Sequence, residues 1–413
     1  MSEAPSALFS PLRVGPLTLR NRFIKAATNE GMAKRGQVTK GLALFHERIA
    51  EGGAALSTLA YCATSPDGRT FPDQVSMSED AVTDLRALTG GVHRHGAAAC
   101  AQLTHAGCFT YLPPALMRDP VPLSSSGGFN KVGVLSGRWM KKAMSTEDMT
   151  RMTDEFVRAA QLARESGFDA VELHMGHGYL LSQFVSRLYN HRRDAYGGPI
   201  ARRMRFPNEV LAKVLDSVGK DMAVIVKFSM TDAAPGGNRI EDGLEIARTI
   251  ERAGAHMAVL SNGMNVESVT AMFGAPLPTP DYSKIQNKIV ALGLRWQKLT
   301  APKLGPFRES YLRENALAIR KAVAMPLAYI GGVQSRAAAE QALADGFEAI
   351  ALGRALVHDP AFVRKLESGA VAKSGCTACN QCVTMMYSPG GTACVMGKGM
   401  DPKLNKIRAG AME

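Results

Sequence analysis

FDAVELHMGHGYLLSQFVSRLYNHRRDAYGG, residues 168–198, is the stretch whose reading decides the architecture. Its apolar run over 170–173 reads as a buried strand that ends abruptly in His174, His177 and Tyr179, with small residues between them. Two imidazoles three apart and a phenol two further on, just past a strand end, can hold a carbonyl oxygen with two donors. An acid then stands beside the same oxygen. Taken alone, the spacing fits satisfied, partly buried histidines and a packing tyrosine at least as well. The rest of the chain therefore has to carry the decision.

Working outward, short continuous apolar runs recur at 22–27, 55–60, 98–105, 223–229, 257–261, 326–331 and 349–353. Helix-period segments alternate with them at 41–50, 81–95, 146–166, 201–218, 241–253, 309–323, 335–344 and 360–366, with Ser145 or Thr146 placed to cap the third. Continuous rather than alternating apolar strands are those of a parallel sheet buried on both faces. Eight strand–helix units predict a closed (β/α)8 TIM barrel, an α/β fold, over residues 1–370, followed by a short cysteine-containing extension at 371–413. Loop-like insertions at 106–144 and 262–308 follow strands three and six, on the face where such barrels keep their chemistry.

The 413 residues carry a formal net charge of +12, which favours anionic ligands. The Lys and Arg are scattered without a basic, aromatic-interleaved stripe, so nucleic acid is not the expected partner. No apolar run reaches membrane-spanning length, and the N-terminus lacks a charged-then-apolar signal, so the expected location is the cytoplasm. Both a homo-oligomer and a monomer fit the sequence.

The predicted strand ends share one cavity. They supply Ala26, Ala27 and Thr28, then Tyr61, Gln102, the His174–His177–Tyr179 set and Lys227. Strands seven and eight end in Gly331-Gly332 and Gly353-Arg354, where glycines let backbone N–H groups approach a phosphate and an arginine adds a charge-assisted bond. Gln102 can pair through its amide with the donor–acceptor edge of a heterocycle. Lys227, central in an apolar strand, needs an anion nearby. A phosphate, an amide-like ring edge and a place for anionic ring charge together describe flavin mononucleotide. No GxGxxG lies between a strand and a helix, so a separate dinucleotide domain is not expected.

The stretches LFSPLRVGPLTLRNR, YCATSPDGRT, AQLTHAG, VELHMGHGYLLSQFVSRLYNHRRDAYGG, YIGGV and AIALGRALVHDP resemble the Old Yellow Enzyme, or NADH:flavin oxidoreductase, family. The resemblance implies FMN reduced by NAD(P)H and reoxidised by an activated alkene: an enone, enoate or enoyl thioester. It implies that Thr28 lies near the flavin C4 carbonyl, that Gln102 pairs with the pyrimidine edge, and that Lys227 replaces the usual arginine beside N1. It further implies Gly331, Gly332, Gly353 and Arg354 at the phosphate, His174 and His177 on the substrate oxygen, and Tyr179 as proton donor. The alternative within the family is an oxidative N-demethylase or amine dehydrogenase. A flavin- or cluster-bearing electron carrier without turnover is a third expectation.

Seven cysteines are present, and Cys376, Cys379, Cys382 and Cys394 cluster near the end. Their spacing suits four thiolates on one metal. The segment resembles the iron–sulfur stretch of the dienoyl-CoA reductase and trimethylamine dehydrogenase branch, with one residue fewer before the third cysteine. A [4Fe–4S] cluster, Zn²⁺ or an unmetallated thiol set are the alternatives.

Overall fold

In the computed structural model, which describes residues 6–278, 305–386 and 390–396, eight parallel strands close into a barrel. They are β1 (Phe23–Lys25), β2 (Leu56–Ala63), β3 (Ala98–Thr104), β4 (Ala170–Met175), β5 (Ala223–Ser229), β6 (Met257–Ser261), β7 (Leu327–Tyr329) and β8 (Ala349–Leu352). Neighbours pair in sequence order and β8 pairs with β1. The outer helices are α1 (Lys40–Glu51), α2 (Val82–His93), α3 (Thr146–Glu165), α4 (Arg205–Val218), α5 (Ile240–Arg252), α6 (Arg313–Ala322), α7 (Arg336–Ala344) and α8 (Phe362–Glu367). The expected (β/α)8 barrel is therefore the fold. α3 starts as read: Ser145 caps it and shares a reciprocal capping box with Asp148.

Strand alternation places the interior side chains. Val171, Leu173 and Met175 of β4 and Val224, Val226 and Phe228 of β5 join the core between strands and helices. Ala170, Ala223 and Ile225 lie in the inner core. Period two then sends Glu172, His174, Lys227 and Ser229 toward the barrel axis, as it does Gln102 on β3. The register sets Gln102 opposite Glu172 and Lys227 opposite His174. Apolar residues thus fill the lower barrel and polar ones its upper, C-terminal end.

Three features differ from the sequence reading. A hairpin, Leu12–Val14 with Leu17–Leu19, closes the barrel floor by inserting Leu12, Val14 and Leu19 into the inner core. The insertion after β3, expected to be loop, contains a small sheet of Leu123–Ser124, Met140–Ala143 and Gly128–Phe129. Strands of two to four residues are too short to show a clear period, so this sheet left no pattern to read. A short helix, Arg354–His358, precedes α8. Of the insertion after β6, a helix at Val269–Phe273 is seen, and 279–304 lie outside the described residues. Among the described residues no helix is long and apolar enough to cross a membrane.

Candidate active site

The upper barrel opens into a cavity of about 1210 Å³, part of it continuous with solvent. Ala26, Ala27, Thr28, Tyr61, Gln102, His174, His177, Tyr179, Lys227, Gly332, Gly353 and Arg354 all line it, so strand ends from most of the barrel converge as the sequence required. Gly331 stands just behind the wall, where a Cβ would come within 2.5 Å of the Tyr329 hydroxyl. Gly332 needs its missing side chain for two reasons: its φ is +77, and a Cβ would lie 2.7 Å from the Phe307 ring.

Below the cavity lies a buried polar row. Gln102 Nε2 donates to Glu172 Oε1 at 2.6 Å, which fixes the amide and leaves its oxygen and second N–H for a ligand. Lys227 is 4% exposed, and its Nζ donates to the Ala27 carbonyl at 3.3 Å. Burial pushes its pKa down, opposed by the Glu172 carboxylate. Burial likewise pushes Glu172 up, opposed by Lys227 and then by the Gln102 amide. The counter-ion expected for Lys227 is thus supplied in part by the protein itself. A second buried pair, Lys25 with Glu30, lies beside the first strand end, and Thr28 Oγ1 donates to Glu30 Oε1 at 2.9 Å.

The histidines and tyrosines form one cluster. The His174 ring centroid lies 4.8 Å from that of Tyr179, tilted, and 4.9 Å from that of His177, edge-on, and the Tyr61 and Tyr179 rings are 5.0 Å apart. His177 Nδ1 meets His174 Nε2 at 3.3 Å, and its Nε2 meets Ser261 Oγ at 2.7 Å. His174 Nδ1 is buried without a partner among the described residues, which leaves it for a ligand. Burial drives both imidazoles well below their usual pKa, reinforced for His174 by His177 and for both by Lys227. Both therefore act as neutral rings. Tyr61 is bonded to Tyr179 and Asn29, and its phenol is pushed up to about 12, chiefly by burial.

At the other end of the cavity Arg354 donates to Asn380 Oδ1 and, at 2.8 Å, to the Phe273 carbonyl. Its guanidinium lies over the Phe307 ring, 5.1 Å from the centroid. The cysteine-bearing stretch folds back onto the barrel mouth, where Thr392 N donates to the Glu30 carbonyl at 2.6 Å. Cys382, Val383, Met386 and Thr392 join the cavity wall. The four thiols are close enough to act electrostatically on one another, and His358 Nδ1 lies 3.3 Å from Cys394 Sγ. Among the described residues, however, no three His, Cys, Asp or Glu side chains are arranged to hold a metal ion. The iron–sulfur and zinc alternatives therefore find no ligand geometry among the described residues, and no chemistry is assigned to them.

Sequence reasoning missed Glu172, Lys25, Glu30, Asn29 and Asn380. The first two had a legible signal, since a charged residue inside an apolar strand is what drew attention to Lys227. Residues 170–173 were read as apolar despite Glu172.

The barrel mouth thus brings a fixed amide edge, a buried ammonium and a glycine–arginine corner into one cavity. The chain belongs to the NADH:flavin oxidoreductase / NADH oxidase family, whose profile matches residues 7–275. It is 38% identical over 401 residues, 96% of each chain, to 4,4'-dithiodibutanoate disulfide reductase of Rhodococcus erythropolis. It is 30% identical to NADH oxidase of Thermoanaerobacter brockii, spanning 92% of this chain and 54% of that one. Among solved structures, a 6-hydroxypseudooxynicotine amine oxidase from Pseudomonas geniculata N1 superposes with a TM-score of 0.80 at 21% identity, over 98% of this chain and 55% of that one. The protein is an FMN-dependent NAD(P)H:flavin oxidoreductase.

Proposed function

We propose that the protein reduces an activated C=C bond, an α,β-unsaturated carbonyl or thioester, at the expense of NAD(P)H. The observation that carries this reading is the buried cluster of His174, His177, Tyr61 and Tyr179 on one side of the cavity. FMN, when bound, supplies the hydride. Gln102 and Lys227 would hold its ring edge, with Gly332, Gly353 and Arg354 at its phosphate, and the unspent donors at Gln102 and Lys227 fit that task. His174 Nδ1–H receives the carbonyl oxygen, with the His177 ring packed beside it. As a neutral donor His174 withdraws electron density from the alkene without giving up a proton, and His177, bonded to His174 Nε2 and to Ser261 Oγ, holds it in that tautomer. Tyr179 delivers the proton to the neighbouring carbon, and its resulting negative charge is met by the Tyr61 hydroxyl. On the same reading residues 1–370 are the catalytic barrel and 371–413 an extension, of which Cys382, Val383, Met386 and Thr392 join the cavity wall.

A second reading takes a disulfide as oxidant, favoured by the 38% identity along 96% of both chains with a relative of that name. Anaerobic reduction with NADPH or NADH followed by mixing with cyclohexenone or 4,4'-dithiodibutanoate, and mixing of the oxidised enzyme with a tertiary amine, separate the readings. Fast reoxidation by the enone alone upholds the first. Reoxidation by the disulfide alone replaces it with the second, and turnover of the oxidised enzyme with the amine replaces both.

A further inference from the structure

Asn380 lies between Cys379 and Cys382, and neither the flavin chemistry nor the thiols account for it. It is 1% exposed and adopts a left-handed backbone with φ +59, which asparagine tolerates better than most residues. Its Nδ2 donates to the carbonyls of Ala275 and Pro276, each at 3.0 Å, and its Oδ1 accepts from Arg354 Nη1. One amide thus ties together three parts of the fold: the cysteine-bearing stretch, the segment after β6 and the arginine after β8.

A guanidinium is a planar fork of five donors, and two acceptors on its terminal nitrogens fix the plane. For Arg354 those acceptors are Asn380 Oδ1 and the Phe273 carbonyl, with Phe307 against its face. The remaining donors belong to a side chain that lines the cavity beside Gly332 and Gly353.

We propose that Asn380 is a positioning residue for the cofactor phosphate: it holds Arg354 in the attitude that receives that group, and so makes the cysteine-bearing stretch part of the FMN site. The proposal rests on the reading of Arg354 as a phosphate ligand. It has a reciprocal consequence, because any change that displaces the stretch weakens FMN, and FMN steadies the stretch by the same factor.

Titrating the flavin-free full chain with FMN and with riboflavin tests this, since riboflavin keeps the ring and lacks the phosphate. Asn380→Gly tolerates the φ of +59 and removes only the side chain. It should weaken FMN about tenfold, the scale of one hydrogen bond to a charged group, and riboflavin less than about twofold. In an Arg354→Ala background it should add nothing, because the two residues act as one unit. Equal weakening of both flavins, or full additivity, overturns the proposal in favour of a purely structural wall. If Arg354→Ala leaves FMN affinity unchanged, the phosphate reading itself fails, a distinct result. Arg354→Lys leaves the Asn380 backbone untouched should the glycine variant not fold. An ammonium cannot be held as a fork, so the preference for FMN over riboflavin should fall similarly, and full retention overturns the proposal.

Discussion

Replacing His174 with leucine removes the one buried ring nitrogen that, among the described residues, is left unpartnered at the reacting end of the cavity. Leucine has nearly the volume of histidine, so the packing on Tyr179 and Tyr61 is largely kept. Two costs follow from the geometry. His177 Nδ1 loses its contact at 3.3 Å, and an orphaned buried polar atom costs about 1–3 kcal/mol of stability. The substrate carbonyl loses a donor in a desolvated site, worth about 2–4 kcal/mol of transition-state stabilisation, or roughly 30- to 1000-fold in rate. The first cost shows in thermal unfolding, the second only in oxidation of the reduced flavin by an enone. Stopped-flow measurement of both half-reactions should therefore find reduction by NADPH within about threefold of wild type and the enone step slowed by the larger factor. Because burial keeps both imidazoles neutral, the wild-type enone step should not follow a histidine titration near pH 6.5. Equal slowing of the two half-reactions refutes the reasoning, and so does a rate that tracks such a titration.

Tyr179→Phe keeps the ring and removes the proton, and should slow enone reduction by about 10²- to 10⁴-fold with flavin reduction intact; an unchanged oxidative step means that another acid is at work. His46, fully buried, is held well below its usual pKa by burial and then by Lys25. The unfolded chain consequently binds more protons below about pH 6.5, and this contribution to stability is lost as pH falls. Glu30 and Glu172, pushed up by burial, act in the opposite sense, so the measurement is the difference between wild type and His46→Gln. The variant should show a flatter fall of unfolding free energy below pH 6, by up to about 1.4 kcal/mol per pH unit, and parallel curves would contradict the assignment. Thiol labelling at neutral pH should modify the exposed Cys379 before Cys382, whose thiol burial pushes up to about 11. Protection of all four thiols, with stoichiometric iron or zinc in the protein, would instead establish a metal centre.

The barrel was legible because each strand is short, mostly apolar without strict alternation and followed by a helix-period segment, the pattern of a parallel sheet covered on both faces. The residues at the strand ends were legible for the same reason: once the barrel is granted, His174, Gln102, Lys227 and Arg354 must meet. What could not be read was everything set by contact rather than period. The two- to four-residue strands of the first insertion have no clear period to show. The floor hairpin is made of residues that pass for a polar–apolar loop around Gly15, at φ +57. The thiol spacing suggested a metal, yet spacing along the chain does not fix where sulfur atoms point.

Asn380 shows why the rest of the site resists such reading. Its side chain works across more than a hundred residues, reaching Ala275, and no local pattern marks an asparagine for that. Glu172 is the opposite case, visible but misread, because one carboxylate was absorbed into an apolar run. The physical cost should have flagged it: a carboxylate within a barrel strand is retained only with partners, and those partners are Gln102 and Lys227. A carboxylate so near the expected ring site also changes what Lys227 can do. Its charge is already partly balanced, so it can stabilise added negative charge on a bound ring without leaving a bare ammonium buried in the empty protein. On the proposed reading the pair is a charge reserve for the cofactor site rather than a stabilising salt bridge.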